Sequence, residues 1–146
     1  MAIDYIEKGQ AMHQAIADAG LALWQHNGTW LADDEAAVQA IINGFDPLPG
    51  GKREKLQELK EERRKRIATL FDEDDFEFML AEALGRSWRV QQGRPLPADT
   101  PSLDALESQF MPIADAYRAA QTAINALTTY DAIKNYDVVN TPSWPA

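Results

Sequence analysis

The alternation of apolar and polar positions predicts a helix followed by a short β-hairpin at the start of the chain. From Tyr5 to about Ala19, apolar residues recur at helical spacing, and Asp4 stands where an N-cap is expected. The dipeptide Asn27-Gly28 then separates two short apolar runs. Because both of its residues tolerate positive φ, it favours a type I′ turn between two antiparallel strands.

The predicted turn also fixes which hairpin residues face each other. Trp24 is expected opposite Leu31 on one face, with Gln25 opposite Trp30 on the other, so both faces are partly apolar. A two-stranded ribbon alone is marginal in water, so at least one face should pack on a helix or on another subunit. Trp24, Trp30 and Leu31 are therefore candidate interaction residues, and core packing and a partner surface both stay open.

A second, shorter helix and a flexible joint are predicted next. Asp33 or Asp34 is expected to cap the helix, and Gly44 to end it. Segment 45–51 holds two prolines and two glycines and is predicted to be a hinge, and a strongly helix-forming stretch follows from 52 to about 71. The sequence thus divides into a helix, hairpin and short helix over 1–49, a helical region over 50–136 and an extended tail over 137–146.

The strongest periodic signal lies in the C-terminal half of the chain. Apolar residues fill a and d positions through four heptads, with Pro112 as the one defect. Such a stripe packs either inside the monomer, in a helical bundle, or between copies as a coiled coil. The predicted fold class is mainly α (α+β), with a bundle or helical hairpin after the N-terminal unit. The stripe consists of Leu103, Leu106, Phe110, Ile113, Tyr117, Ala120, Ile124 and Leu127.

Charge is unevenly distributed along the 146 residues. The formal net charge is −9, yet eight of the 14 lysines and arginines lie between Lys52 and Arg66. Arg63, Arg64 and Arg66 are candidates for contacts with phosphates or acidic partners. Glutamates interleaved at helical spacing favour an ordinary solvated helix instead. The acidic net charge disfavours binding to nucleic acid.

Catalytic, cofactor and metal sites are not predicted, and we expect the protein not to be an enzyme. His13 and His26 have no ligand or nucleophile at a recognisable spacing. Segment 50–52 lacks the residues of a phosphate-binding loop, and the acids at 72–75 lack the spacing of a calcium loop and are better read as helix capping. With no cysteine, no signal-peptide pattern and no long apolar run, a soluble protein without membrane contact is expected.

One stretch resembles a known group of proteins. ADDEAAVQAIINGFDPLP, followed by a charged helix and much later by TPSWP, is similar to the small accessory proteins encoded beside tail-fibre genes in tailed bacteriophages. The resemblance spans about Asp33 to Phe71 and, more loosely, Ala119 to Pro145. It rests on a run of residue types, so it assigns no functional residues. The charged LQELKEERRKRI helix departs from the group, in which this region is often richer in alanine.

The resemblance implies a non-enzymatic protein of the virion, in the tail tip, baseplate or tail-fibre attachment region, synthesised in the bacterial cytoplasm. Its implied partners are other phage tail or fibre proteins, with a homo-oligomer possible. One alternative is a fibre-assembly chaperone that leaves before the virion is complete, and another is an intracellular effector acting through the basic helix. Trp144, in the predicted tail, is a candidate anchor on a neighbouring subunit. Trp30→Ala or Trp144→Ala is expected to weaken assembly more than folding.

Overall fold

The computed structural model describes residues 2–70, 73–94 and 103–146, with side-chain surroundings for 2–70, 80–81, 84–94 and 107–146. Over these residues the chain is mainly helical with one antiparallel hairpin between helices, which confirms the predicted α+β class. The elements are α1 (Gln10–Asp18), β1 (Leu23–His26), β2 (Thr29–Ala32), α2 (Glu35–Gly44), α3 (Leu48–Leu70), α4 (Glu73–Gln91), α5 (Leu103–Ala126) and α6 (Tyr130–Asn135).

Contacts divide the chain into two compact units. The first contains Met1–Lys55 and Ile124–Tyr136, and the second contains Leu56–Ala123 and Asp137–Ala146. Both α3 and α5 contribute residues to each unit. The predicted boundary between 49 and 50 lies within the first turn of α3, and the one between 136 and 137 coincides with the end of the first unit.

The hairpin has the predicted turn and register. Asn27 and Gly28 have φ values of 49° and 80°, as a two-residue turn of this type requires. Trp24 pairs with Leu31, and Gln25 with Trp30. A local dipeptide signal was sufficient here because the turn length alone determines which residues of the two strands face each other.

The predicted start of the first helix is wrong: α1 begins at Gln10 rather than at Tyr5. The preceding segment lies beside β2 instead, where the Ile3 N–H donates to the Trp30 carbonyl (3.1 Å). The Ile3 side chain is buried there. Asp4 therefore caps no helix. Burial of an apolar side chain and pairing with a strand outweigh a local capping pattern.

The core of the first unit is formed by the facing sides of α1 and α2. Asp34 is the N-cap of α2, with its carboxylate accepting from the Ala37 N–H (3.0 Å). This confirms one of the two predicted caps. Below that cap the apolar stripe of α2 meets the buried side of α1. The buried residues are Ile3, Met12, Ile16, Val38 and Ile42.

The predicted hinge is largely helical, because α3 already begins at Leu48. Pro49 is tolerated in the first turn, where a backbone N–H has no partner within the helix. The Gly51 N–H makes the first helical bond, to the Pro47 carbonyl (2.9 Å). The non-helical joint is thus confined to residues 45–47.

The two glycines of α3 provide close packing rather than flexibility. A Cβ on Gly51 would lie 3.1 Å from two ring carbons of Tyr130 on α6, and 3.4 Å from Cγ2 of Ile133. A Cβ on Gly50 would lie 3.1 Å from the Cβ of Ala11 on α1. The first turn of α3 therefore approaches both helices more closely than any larger residue would allow.

The described part of the heptad stripe packs within the chain. Ile113, Ala120 and Ile124 are at most 2% exposed. The other described members, Phe110, Tyr117 and Leu127, are half-buried. The structure thus shows the bundle alternative for this part of the stripe. The side chains of Leu103 and Leu106 lie outside the described residues, and Pro112 is accommodated inside α5.

Helix α4 presents large apolar side chains to solvent. It spans Glu73–Gln91, so it begins within the acidic cluster, whose proposed capping side chains lie outside the described residues. Leu80, Leu84 and Trp88, spaced four residues apart and hence on one face, are 40%, 56% and 60% exposed. Nothing in the described residues covers this face of α4.

Gly51→Ala is expected to destabilise the protein by about 1–3 kcal/mol, because the added methyl would lie 3.1 Å from the Tyr130 ring, which would have to shift. Tyr130 is confined on another side by Gly9, where an added Cβ would lie 3.0 Å from the Tyr130 hydroxyl oxygen. Gly44→Ala, also in the first unit, is the matched control, since nothing lies within 4 Å of its added Cβ. Urea unfolding should show the control to be neutral or stabilised. Equal effects of both substitutions would contradict the packing role.

Candidate interaction surfaces

The hairpin has one face on the core and one toward solvent. Trp30 is half-buried, and its ring stacks on Tyr5 with centroids 4.1 Å apart and an interplanar angle of 16°. On the opposite face Trp24 is 45% exposed, and its cross-strand neighbour Leu31 is half-buried. Trp30 therefore packs within the chain, whereas Trp24 is exposed and its role as a partner surface stays a prediction.

A chain of polar groups lies beside the stacked pair. The Tyr5 hydroxyl donates to Glu7 Oε2 (2.6 Å) and lies 2.9 Å from His13 Nε2. The other Glu7 oxygen accepts from the Gly9 N–H (2.8 Å). Because a tyrosine hydroxyl has a single proton, this geometry assigns a proton on His13 Nε2 that is donated to Tyr5.

These contacts favour the ionised form of the Glu7 carboxylate. The hydrogen bond from Tyr5 and then the one from the Gly9 N–H lower the pKa of Glu7 below its ordinary value. Burial, and then the neighbouring Glu7, raise the pKa of Tyr5 to about 12. At neutral pH Glu7 is therefore ionised and Tyr5 protonated, so the network stably joins the N-terminal segment to α1.

Sequence reasoning missed this network because it placed all of its members on one helix. Residues two apart in a helix do not face each other, so Tyr5 and Glu7 offered no pair. In the observed extended segment they do meet. The sequence did contain one signal for a later helix start, because Gly9 interrupts the helical pattern just before α1. In the structure Gly9 has a φ of 88°.

Lys8 closes the C-terminal end of α2. Its Nζ donates to the carbonyls of Ile42 (2.7 Å), Asn43 (3.3 Å) and Phe45 (2.8 Å). The last carbonyls of a helix have no partner within it, and a lysine charge there is also favoured by the helix dipole. More than 30 residues separate donor and acceptors, so no local pattern could indicate this contact.

The basic candidates on α3 differ in their surroundings. The Arg63 guanidinium lies 4.2 Å from the centroid of the Tyr117 ring, a cation–π arrangement. Arg66 bonds Glu62 (Nε to Oε1, 2.8 Å), as the predicted i,i+4 pairing requires. Arg64 is exposed. Two of the three candidates thus have partners within the second unit.

Trp144 packs against residues of its own chain. Its Nε1–H donates to the Val138 carbonyl (2.9 Å), and the ring centroid lies 4.9 Å from the Arg66 guanidinium. Arg66 also donates to the Val139 carbonyl (3.3 Å). Residues 138–140 form a turn, with the Asp137 carboxylate accepting from two of their N–H groups. The half-buried Trp144 therefore packs in the second unit rather than projecting from an extended tail.

Among the described residues, no three histidine, aspartate or glutamate side chains are grouped so that they could hold a metal ion. No described helix combines the length and apolar character needed to cross a membrane. Comparisons with protein-family models, with curated proteins and with solved structures found no match.

The Glu7 contacts predict a specific pH dependence of stability. Since the pKa of Glu7 is lowered in the folded state, its ionised form adds stability above the unfolded pKa near 4.5, and this is lost as pH falls through the folded value. The stability difference between wild type and Glu7→Gln should be larger at pH 7 than at about pH 3. Urea unfolding at both pH values measures it. Tyr5→Phe should reduce this pH dependence, and a difference independent of pH would refute the assignment.

Trp24 and Trp144 are expected to give opposite results on truncation. Trp144→Ala removes a hydrogen bond, a cation–π contact and half-buried area, and should cost about 2–3 kcal/mol. Trp24→Ala, at an exposed position, should cost less than about 1 kcal/mol. Chemical denaturation of both variants provides the comparison. A neutral Trp144→Ala would restore that residue as an anchor for another chain.

Proposed function

We propose that this protein is a non-enzymatic structural protein of a phage virion, in the tail tip, baseplate or tail-fibre attachment region, acting through protein–protein contacts. The resemblance to tail-fibre accessory proteins suggests the setting. The proposal also draws on one structural observation: residues from the two separate segments that carry the resemblance contact each other within each compact unit.

Within the first unit, this packing is the approach of α3 to α6. Gly51, from the first segment, lies against Tyr130 and Ile133, from the second. Lys52 adds a hydrogen bond from its Nζ to the Asn125 carbonyl (2.7 Å). When two distant segments together carry one resemblance, we expect both to belong to one structural module.

Within the second unit, Arg66 joins the two segments. It contacts Trp144, the tryptophan of the TPSWP stretch, and the Val139 carbonyl. The charged LQELKEERRKRI helix, which departs from the resembling group, thus contributes a residue that binds the C-terminal stretch. The departure in composition is consistent with a helix stabilised by polar contacts to its neighbours.

Exposed apolar side chains supply the surfaces that such a component requires. Trp24 on the hairpin and Leu84 and Trp88 on α4 are all more than 40% exposed. Aromatic and large aliphatic residues of this kind commonly anchor protein–protein interfaces. The same surfaces suit an assembly chaperone equally well, so that alternative is retained. The basic-helix effector gains no such support, because Arg63 and Arg66 have partners in their own chain.

Quantitative mass spectrometry of purified phage particles tests the proposal. We expect the polypeptide at a fixed copy number relative to a known tail protein, because a structural component occupies symmetry-defined positions. The lysate of infected cells is the control for synthesis. Abundance in the lysate with absence from particles would replace the virion assignment by the chaperone alternative, to be checked by co-purification with fibre subunits.

A further inference from the structure

The outer edge of β1 has backbone groups that point away from its partner strand. The Ala22 carbonyl accepts from the Asp33 N–H (3.4 Å), so residue 22 points toward β2. In antiparallel strands, successive residues point their N–H and C=O groups in alternate directions. Leu23 and Gln25 therefore direct theirs outward. The Trp30 carbonyl, paired across from Gln25, correspondingly points away from β1 to accept from Ile3.

This edge is open in the described part of the chain. The sheet there has two strands, and the N-terminal segment occupies only the β2 side. Natural proteins usually protect an exposed edge by keeping the strand short, as the four-residue β1 is, or with a lysine, a proline or a bulge. The sequence of β1, Leu-Trp-Gln-His, contains no lysine or proline, and its register with β2 is continuous.

An aromatic side chain stands next to the open edge. Trp24 is 45% exposed and lies on the outer face, beside its cross-strand partner Leu31. A strand added along β1 would place alternate side chains on that face, within reach of the Trp24 ring. The edge thus offers backbone hydrogen bonds for affinity and an apolar contact for selectivity, as in known cases of strand addition.

The charge of the segment that contains the hairpin, with the Asp33 carboxylate at the start of β1, indicates which partner fits. Residues 2–46 contain seven aspartates and glutamates but a single lysine or arginine, Lys8, whose ammonium is already bound by three carbonyls. One of the carboxylates, Asp33, accepts from the Ala22 N–H (3.0 Å) at the very start of β1. A second copy of the chain would bring two acidic segments together, whereas a strand with lysine or arginine would meet opposite charge.

We propose that the β1 edge, with Trp24, is a docking site for an extended, basic segment of a partner protein, which adds as a further strand beside Leu23 and Gln25. This inference does not depend on the virion assignment, because it concerns the partner's chemistry and not its location.

A short synthetic peptide of alternating lysine and valine, capped at both ends, is the probe, and the same peptide with glutamate for lysine is its control. Binding to the full chain is measured by fluorescence polarisation and by the amide NMR signals of β1. The lysine peptide should bind at least about tenfold more tightly than the glutamate peptide. The Leu23 and Gln25 amides should become protected from hydrogen exchange on binding.

Gln25→Pro distinguishes strand addition from mere charge attraction. Proline is tolerated where an edge N–H faces solvent, so the variant should fold, yet it lacks a donor that the added strand needs. We expect binding to weaken at least about tenfold, whereas Gln25→Thr, which keeps the N–H, should stay within about twofold of wild type. Trp24→Ala should also weaken binding.

Three outcomes would overturn the proposal. In the first, the lysine peptide does not bind. In the second, Gln25→Pro binds the peptide as tightly as wild type does. In the third, dimerisation protects the β1 amides in the absence of peptide. The last, detected by analytical ultracentrifugation with and without Gln25→Pro, would make a second copy of the chain the occupant. Circular dichroism of Gln25→Pro confirms folding, and if that variant is unfolded, protection of the Leu23 and Gln25 amides in the wild type decides.

Discussion

The close approach of the first turn of α3 to α1 and α6 constrains how the helices of the first compact unit pack. Gly50 lies against Ala11, and Gly51 against the Tyr130 ring, and a Cβ at either position would lie 3.1 Å from its nearest neighbour, closer than an ordinary contact. Because α6 comes more than 70 residues after this turn, the contact joins the two ends of the chain's first unit. The residues that look most flexible in the sequence thus occupy one of its most tightly packed places.

The N-terminal segment completes this unit through polar contacts as well as apolar ones. Ile3 pairs with β2, Tyr5 stacks on Trp30, and Lys8 satisfies the carbonyls at the end of α2. Each contact uses a group that would otherwise be exposed or without a partner. An extended segment that makes all three is more favourable than the additional helical turn that local sequence would permit.

What the packing leaves exposed is as informative as what it buries. Trp30 and Trp144, two of the predicted contact residues, interact with their own chain, whereas Trp24 on the hairpin and Trp88 on α4 remain exposed. Among the described residues, the exposed large apolar side chains include Trp24 on the hairpin and Leu84 and Trp88 on α4. On β1, the exposed Trp24 side chain lies next to backbone groups that point away from β2.

The sequence by itself determined the features that depend on neighbouring residues: the Asn27-Gly28 turn with its register, the Asp34 cap and the heptad stripe of α5. Turn chemistry, capping and helical periodicity act over a few residues, so they can be recognised without a fold. Only the tertiary structure decided where α1 and α3 begin, and which tryptophans are covered. Those outcomes depend on contacts between residues far apart in the chain, such as Lys8 with the end of α2 and Arg66 with Trp144, and such contacts leave no local pattern.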